Sequence, residues 1–479
     1  MMMAVTFDFP TRLTAVCMLS LLVTACAVGP DYKRPEAPAV AIFKEAEGWV
    51  AAAPADALER GPWWQLFGDP GLDQLAARVE VSNQNVAAAV GAYAQARALV
   101  RERRASLFPT VTLEGSGSRA RSGGNLSTGA AGRTGSNYQL GIGANWEPDI
   151  WGRLGRAAEG ASSGAQASAA DLASARLSAQ GELAINYLSL RQTDAQRLLF
   201  QNAIVGYTRA LEITQNRYAA GIGGKTDVLQ AQTQLANAQA DEAGLQRQRA
   251  QLEHAIAVLV GEAPGNFSLI PATAWTPVVP ELPPALPSTL MQRRPDIAAA
   301  ERRVALANEQ IGIARSAYYP SFSLTASAGS GASRVADLFM VSSSVWSFGL
   351  SAAQILFNAG ATGARVDGAR AGHEQSVARY RQTVLAAFQD VEDQLAATRV
   401  LRTQQDLRKQ ASAAADQVEQ QVFNRYRGGQ VGYSEVIAAQ VVALSARRAL
   451  VQATADRQIT AVALIQSLGG GWQASGPDN

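Results

Sequence analysis

Apolar residues along the chain follow two different periods. In four short runs they alternate one by one with small or polar residues. Tyr138, Leu140, Ile142, Ala144 and Trp146 alternate with Gln139, Gly141, Gly143 and Asn145. Phe322, Leu324, Ala326 and Ala328 alternate with Ser323, Thr325 and Ser327, and Trp346, Phe348, Leu350 and Ala352 with Ser347, Gly349 and Ser351. Thr110 to Ser118 repeats the pattern more weakly. A period of two predicts strands, at about residues 109–118, 137–147, 320–329 and 345–356, each with one apolar and one polar face.

Elsewhere the pattern is helical. Arg153 to about Arg217 and Ala361 to about Arg425 contain no proline and are dominated by Ala, Gln, Leu, Arg and Glu, all strong helix formers. Roughly 60 residues at 1.5 Å each predicts helices about 90 Å long, several-fold longer than ordinary globular ones. Leu183, Leu190, Leu198, Val205 and Leu211 recur mostly at heptad-like steps amid alanine, which suits side-by-side helix packing. Glycine-rich turns follow at 218–226 and 426–434, with Thr226 and Ser434 placed to cap the returning helices.

The chain is also written twice. Asn216-Arg217-Tyr218, Gly221, Gly224, Asp227-Val228-Leu229 and Ala231-Gln232 recur 208 residues later as Asn424-Arg425-Tyr426, Gly429, Gly432, Glu435-Val436-Ile437 and Ala439-Gln440. Phe108-Pro109 and its strand recur as Tyr319-Pro320 at an offset of 211. The repeats run over 70–261 and 290–469, joined by a Pro-rich connector at 262–289 that cannot continue a helix.

Each predicted strand is close to the 9–11 residues of a membrane-crossing strand, and aromatics cluster near the ends: Phe108, Tyr138, Trp146, Trp151, Tyr318, Tyr319, Trp346 and Phe357. A half-buried sheet in a soluble domain would produce the same alternation. In a membrane the apolar set would face lipid: Tyr138, Leu140, Ile142, Trp146, Phe322, Leu324, Trp346, Phe348 and Leu350. Four strands cannot close a barrel, because single-chain barrels begin at about eight, and lipid does not tolerate open edges. A membrane reading therefore requires several chains to pool their strands.

Composition removes other classes. The 479 residues are 47% hydrophobic and 17% charged with a net charge of +2, which gives no basic excess for nucleic acid. No run of about 18 consecutive apolar residues predicts a transmembrane helix. Of the two histidines, His373-Glu374 begins a metalloprotease-like helix but Val377 stands where its second histidine belongs, and His254 has no catalytic company. No metal site, cofactor loop or catalytic set emerges.

At the N-terminus, Arg12 precedes an apolar run that ends Val23-Thr24-Ala25-Cys26. This resembles a secretory signal (1–25) closed by the lipobox of bacterial lipoproteins, whose cysteine becomes an acylated N-terminus. Ala27 then favours the outer membrane. With Cys17 removed in the signal, no disulfide is possible in the mature chain. Several acyl chains on Cys26 would anchor firmly.

The residues then resemble a family: the outer-membrane factors of tripartite efflux pumps, TolC/OprM-like channels of the NodT lipoprotein branch. The resemblance is carried by Val28-Gly29-Pro30-Asp31-Tyr32-Lys33-Arg34-Pro35, Trp63-Trp64 with Leu66-Phe67-Gly68-Asp69-Pro70, Arg293-Arg294-Pro295-Asp296-Ile297, and Leu468-Gly469-Gly470-Gly471-Trp472. It implies a membrane α+β fold: a homotrimer whose four strands per protomer build a twelve-stranded outer-membrane barrel. A long periplasmic α-helical barrel continues it, girdled by a belt from 26–69 and the connector, with a short C-terminal tail at 470–479. It implies no cofactor beyond the lipid on Cys26. Partners would be a periplasmic membrane-fusion adaptor, an inner-membrane RND-type pump and outer-membrane lipid. It places a gate at the tips, at Arg217, Tyr218, Gly221 and Asp227 and at Arg425, Tyr426, Gly429 and Glu435, although Gln430-Val431-Gly432 stands where some relatives carry an aspartate. A duct for type I protein secretion and a coiled-coil surface lipoprotein are the alternatives.

Overall fold

A computed structural model of the chain describes residues 27–36, 43–45, 50–51, 62–121, 134–280, 285–286 and 294–470. The signal, Cys26 and the tail beyond residue 470 fall outside the described residues. The first pass of the chain gives α1 (Pro70–Ser82), α2 (Gln84–Ala105), β1 (Thr110–Arg121), β2 (Thr134–Trp146), α3 (Arg153–Ala219) and α4 (Lys225–Leu259). The second gives α5 (Pro295–Ser316), β3 (Ser321–Ala332), β4 (Ser344–Ala353), α6 (Ala361–Arg427) and α7 (Tyr433–Ser467). Helices α3 and α6 are both 67 residues long, α4 and α7 both 35, and α2 and α5 both 22. Apart from α1, which has no counterpart among the described residues, the elements of the two passes correspond in order.

The chain forms two compact units, each drawing on both repeats. The first (1–36, 93–168 and 300–380) holds the sheet. Its strands lie in the order β1-β2-β3-β4, every pair antiparallel. The strands differ from expectation at their ends. β1 and β2 run on to Arg121 and back from Thr134, because ladder bonds continue past the last apolar residue. β4 stops at Ala353, leaving Leu356 and Phe357 exposed in the following turn.

In the same unit, residues 28–34 form a strap. The Val28 amide donates to the Trp151 carbonyl at 3.1 Å, and the Trp151 ring stacks on Tyr319 at 4.8 Å. Buried Arg156 pairs with Glu309 at 2.8 Å and donates to the Pro30 carbonyl, which Asn308 also reaches. Gly29 is needed there: at φ +126, a Cβ would sit 2.6 Å from the Gly312 backbone. Tyr32 donates to Glu301, and Arg34 to the Tyr380 hydroxyl.

The second unit (37–92, 169–299 and 381–479) is mostly helix. Asp69 caps α1 by accepting the amides of Gly71 and Leu72, and it also accepts the hydroxyl of fully buried Tyr187 at 2.8 Å. Buried Asp194 accepts from Arg249 at 2.8 Å and from the Ala272 amide at 3.1 Å, while Arg249 reaches the Leu269 carbonyl. The proline-rich connector is thereby pinned by paired charges, which tolerate burial only when satisfied. Arg294, from the second-repeat motif, binds Asp296, Asp390 and the Ser467 carbonyl. Among the described residues α7 alone is long and apolar enough to cross a membrane by length and composition. It is packed within its unit, however, and its Arg447 pairs with Asp416 and Glu419 of α6.

Candidate functional site: the sheet faces and the helical tips

Register sorts the sheet cleanly into two faces, because directly paired residues of antiparallel strands project to the same side. One face carries Leu113 opposite Ile142, Ile142 opposite Ala328, Leu324 opposite Leu350, and Ala326 opposite Phe348. All nine residues read as lipid-facing share this side, namely Tyr138, Leu140, Ile142, Trp146, Phe322, Leu324, Trp346, Phe348 and Leu350. Trp346 is 81% exposed. Val111 and Leu113 join them and were not singled out beforehand, since the alternation of β1 fades into glycine after Leu113. The cause is packing: a Cβ on Gly117 would come 3.1 Å from the Tyr138 ring.

The opposite face is hydroxyl-lined. Ser323 and Ser351 hydrogen-bond across the strands at 2.7 Å, and Ser327 and Ser347 at 2.8 Å. Gly141 and Gly329 pair directly, and a Cβ on Gly329 would stand 2.4 Å from the Leu140 carbonyl oxygen. Among the described residues nothing pairs with the outer edges of β1 and β4. An apolar surface, a hydroxyl surface and two open edges together form an incomplete object, because exposed strand edges of this length invite further strands.

At the tips, both long helices end in the same way. The amides of Gly221 and Ile222 donate to the carbonyls of Tyr218 and Arg217, and those of Gly429 and Gln430 to Tyr426 and Arg425. This double bond pattern requires a left-handed residue, supplied by Gly221 and Gly429, both at φ 72. The returning helices are capped differently from expectation. Their caps are Gly224 and Gly432, without a side-chain bond. Thr226 and Ser434 already lie inside the first turn, because the glycine carbonyls accept the amides of Asp227 and Glu435.

The structure gathers part of the predicted gate. The Arg217 guanidinium lies 5.3 Å over the Tyr426 ring, whose centroid is 5.5 Å from that of Tyr433. Tyr426, at 8% exposed, sits with Ala210, Ala231, Tyr433 and Val436 in a small core. Burial, ahead of the nearby Asp227 charge, raises the Tyr426 hydroxyl above its ordinary value, and burial likewise pushes Tyr433 up to about 12. The Tyr433 hydroxyl is buried without a hydrogen-bond partner among the described residues. Tyr218, the first-repeat counterpart of Tyr426, is 49% exposed, and Arg425 and Glu435 are exposed as well. Tyr433 was missed by sequence reasoning. Its signal is the repeat itself, since the residue 208 positions earlier is Lys225 and only the second repeat has an aromatic there to hold its tyrosine inside.

Comparison with known proteins points the same way. The family described as Outer membrane efflux protein matches residues 75–262 and 286–470. The probable efflux pump outer membrane protein TtgC of Pseudomonas putida KT2440 is 33% identical over 470 residues, covering 95% of this chain and 96% of its own. The cation efflux system protein CusC of Escherichia coli O6:H1 is 29% identical, covering 97% and 99%. Among solved structures, the outer-membrane channel OprN superposes with a TM-score of 0.86 at 30% identity over 94% of this chain and all of its own. The Neisseria gonorrhoeae MtrE outer membrane channel, in its open state, gives 0.81 at 30% identity over 94% and 99%.

Proposed function

Because the chain belongs to the outer membrane efflux protein family and is an outer-membrane channel component of an efflux pump, we propose that three copies pool their sheets into one twelve-stranded barrel. The observation that carries this reading is the four-stranded sheet whose apolar face, hydroxyl face and two edges are, among the described residues, left uncovered. Closure satisfies the edge groups, each of which would cost several kcal/mol in hydrocarbon. The apolar face meets lipid and the serine and glycine face lines water. Helices α3, α4, α6 and α7 continue the duct into the periplasm, and residues 26–69 with the connector form a belt around it. Acylated Cys26 anchors each copy.

Transport through such a duct is passive and needs no catalytic group. An inner-membrane pump of the RND type supplies the energy, and an adaptor meets the helical tips. Small molecules are the favoured cargo, a choice supported by relatives named as toluene and antibiotic efflux components. The tips close the duct through Arg217, Tyr426 and Tyr433, with Asp227 beside them and Tyr218, Arg425 and Glu435 on the exposed rim. Gly221 and Gly429 set the turns.

The test is reconstitution. The purified mature chain should run as a detergent-dependent trimer by native mass spectrometry and form pores in planar bilayers. A water-soluble monomer without pore activity would end this reading.

A further inference from the structure

The outer end of β1 carries a charge where the lipid-facing pattern has none. Arg119 and Arg121 share the parity of Val111 and Leu113, not that of Thr112, Glu114, Ser116 and Ser118, and both are exposed. They pair with Ser136 and Thr134. From Gly115 to Trp146 the sequence contains no acidic residue to neutralise them.

Their height is informative. The apolar band on β1 and β2 runs from Trp146 to Tyr138, with Leu113 and its partner Ile142 near its middle. At about 3.3 Å per residue along a strand tilted by about 40°, Arg119 stands roughly 15 Å above that middle and Arg121 roughly 20 Å. Half of a hydrocarbon core is about 15 Å. The two arginines therefore emerge where acyl chains end and headgroups begin, at the end of the sheet away from the helices. A guanidinium fork matches phosphate oxygens bidentately.

We infer that Arg119 and Arg121 form a binding site for the phosphate groups of the glycolipid in the outer leaflet, three such sites surrounding each trimer. The inference rests on the reading of the sheet as membrane-spanning. Tyr138, whose ring covers Gly117 one row below, provides the apolar floor against which a glycolipid acyl chain lies.

The assembled mature protein, held in detergent, can be titrated with bisphosphorylated lipid A, its monophosphorylated form and phosphatidylglycerol, with binding read by native mass spectrometry. Bisphosphorylated lipid A should bind most tightly. The double variant R119S/R121S should weaken it by about thirtyfold, from the roughly fivefold that each basic residue contributes beside an anionic lipid surface, whereas R119K/R121K, which keeps the charge but loses the fork, should fall between the two. Pore formation by R119S/R121S should match that of the unaltered chain. Unchanged lipid A affinity in R119S/R121S with intact pores overturns this site alone, as does an equal preference for phosphatidylglycerol. Failure of the unaltered chain to form pores overturns the membrane-spanning sheet and this site with it.

Discussion

The clearest consequence of the tip geometry concerns the balance between closed and open ducts. Tyr426 is gripped on two sides: the Arg217 guanidinium lies 5.3 Å from its centroid and the Tyr433 ring 5.5 Å. A partly buried cation–π contact contributes about 1 kcal/mol, and an aromatic pair about 1 kcal/mol beyond its area. Tyr426→Leu keeps the apolar bulk and removes both, so the closed tip should lose about 2 kcal/mol, or about thirtyfold in its population relative to open. Arg217→Ala removes only the first contact and should cost about fivefold. In the double variant the cation–π loss cannot be counted twice, so the cycle should leave a coupling of about 1 kcal/mol. Open probability in planar bilayers measures all three. If the three variants match the unaltered chain, or the two single effects simply add, Arg217 and Tyr426 do not act as one latch.

Other expectations follow from the same contacts. Tyr433 is raised above its unfolded value, so its neutral form contributes stability that is complete below pH 10 and is lost as pH rises towards about 12. Conductance should increase over that window, and Tyr433→Phe, which removes only an unpartnered hydroxyl, should lessen the increase to the part that Tyr426 contributes, without weakening the tip at neutral pH. Ile142→Arg, near the middle of the apolar band, should cost about 2–4 kcal/mol and reduce the yield of inserted trimer. Ser327→Arg, on the hydroxyl face, should insert normally and alter ion selectivity instead. Glu309→Ala leaves buried Arg156 without its carboxylate, at a cost of about 3–5 kcal/mol. The strap should then loosen, and trypsin should cleave after Lys33 faster than in the unaltered chain, the bond after Arg34 being protected by Pro35.

Much of this was legible in the sequence, and the limits have physical reasons. Strands with one apolar and one polar face must alternate strictly, so β2, β3 and β4 stood out and all nine apolar positions fell on one side. The outer half of β1 did not, because Gly115 and Gly117 lie against the Leu140 side chain and the Tyr138 ring and leave no apolar residue to count. The tip turns were visible as glycines, but the helices start earlier than the sequence suggests: Thr226 and Ser434 are good capping residues by type, yet the carbonyl of the glycine two residues before each already receives the first helical bond. The asymmetry between buried Tyr426 and exposed Tyr218 was hidden by the similarity of the repeats, and only the Lys225 and Tyr433 difference resolves it. The segment Val28–Arg34 was recognisable only by resemblance. Its role as a strap depends on Arg156, Glu309 and Asn308, which are far away in sequence and carry no local signal.

The central claim is that the free edge of β1 in one copy meets the free edge of β4 in the next and that three such junctions close a ring. It can be measured by introducing single cysteines in pairs, scanned along β1 (Thr110–Arg121) and β4 (Ser344–Ala353), in chains carrying Cys17→Ser and Cys26→Ser, and oxidising the protein in membranes. The account predicts that one register of pairs yields a covalently closed trimer and no larger species. A chain that stays monomeric at every register, or that polymerises into an open ladder, would contradict it.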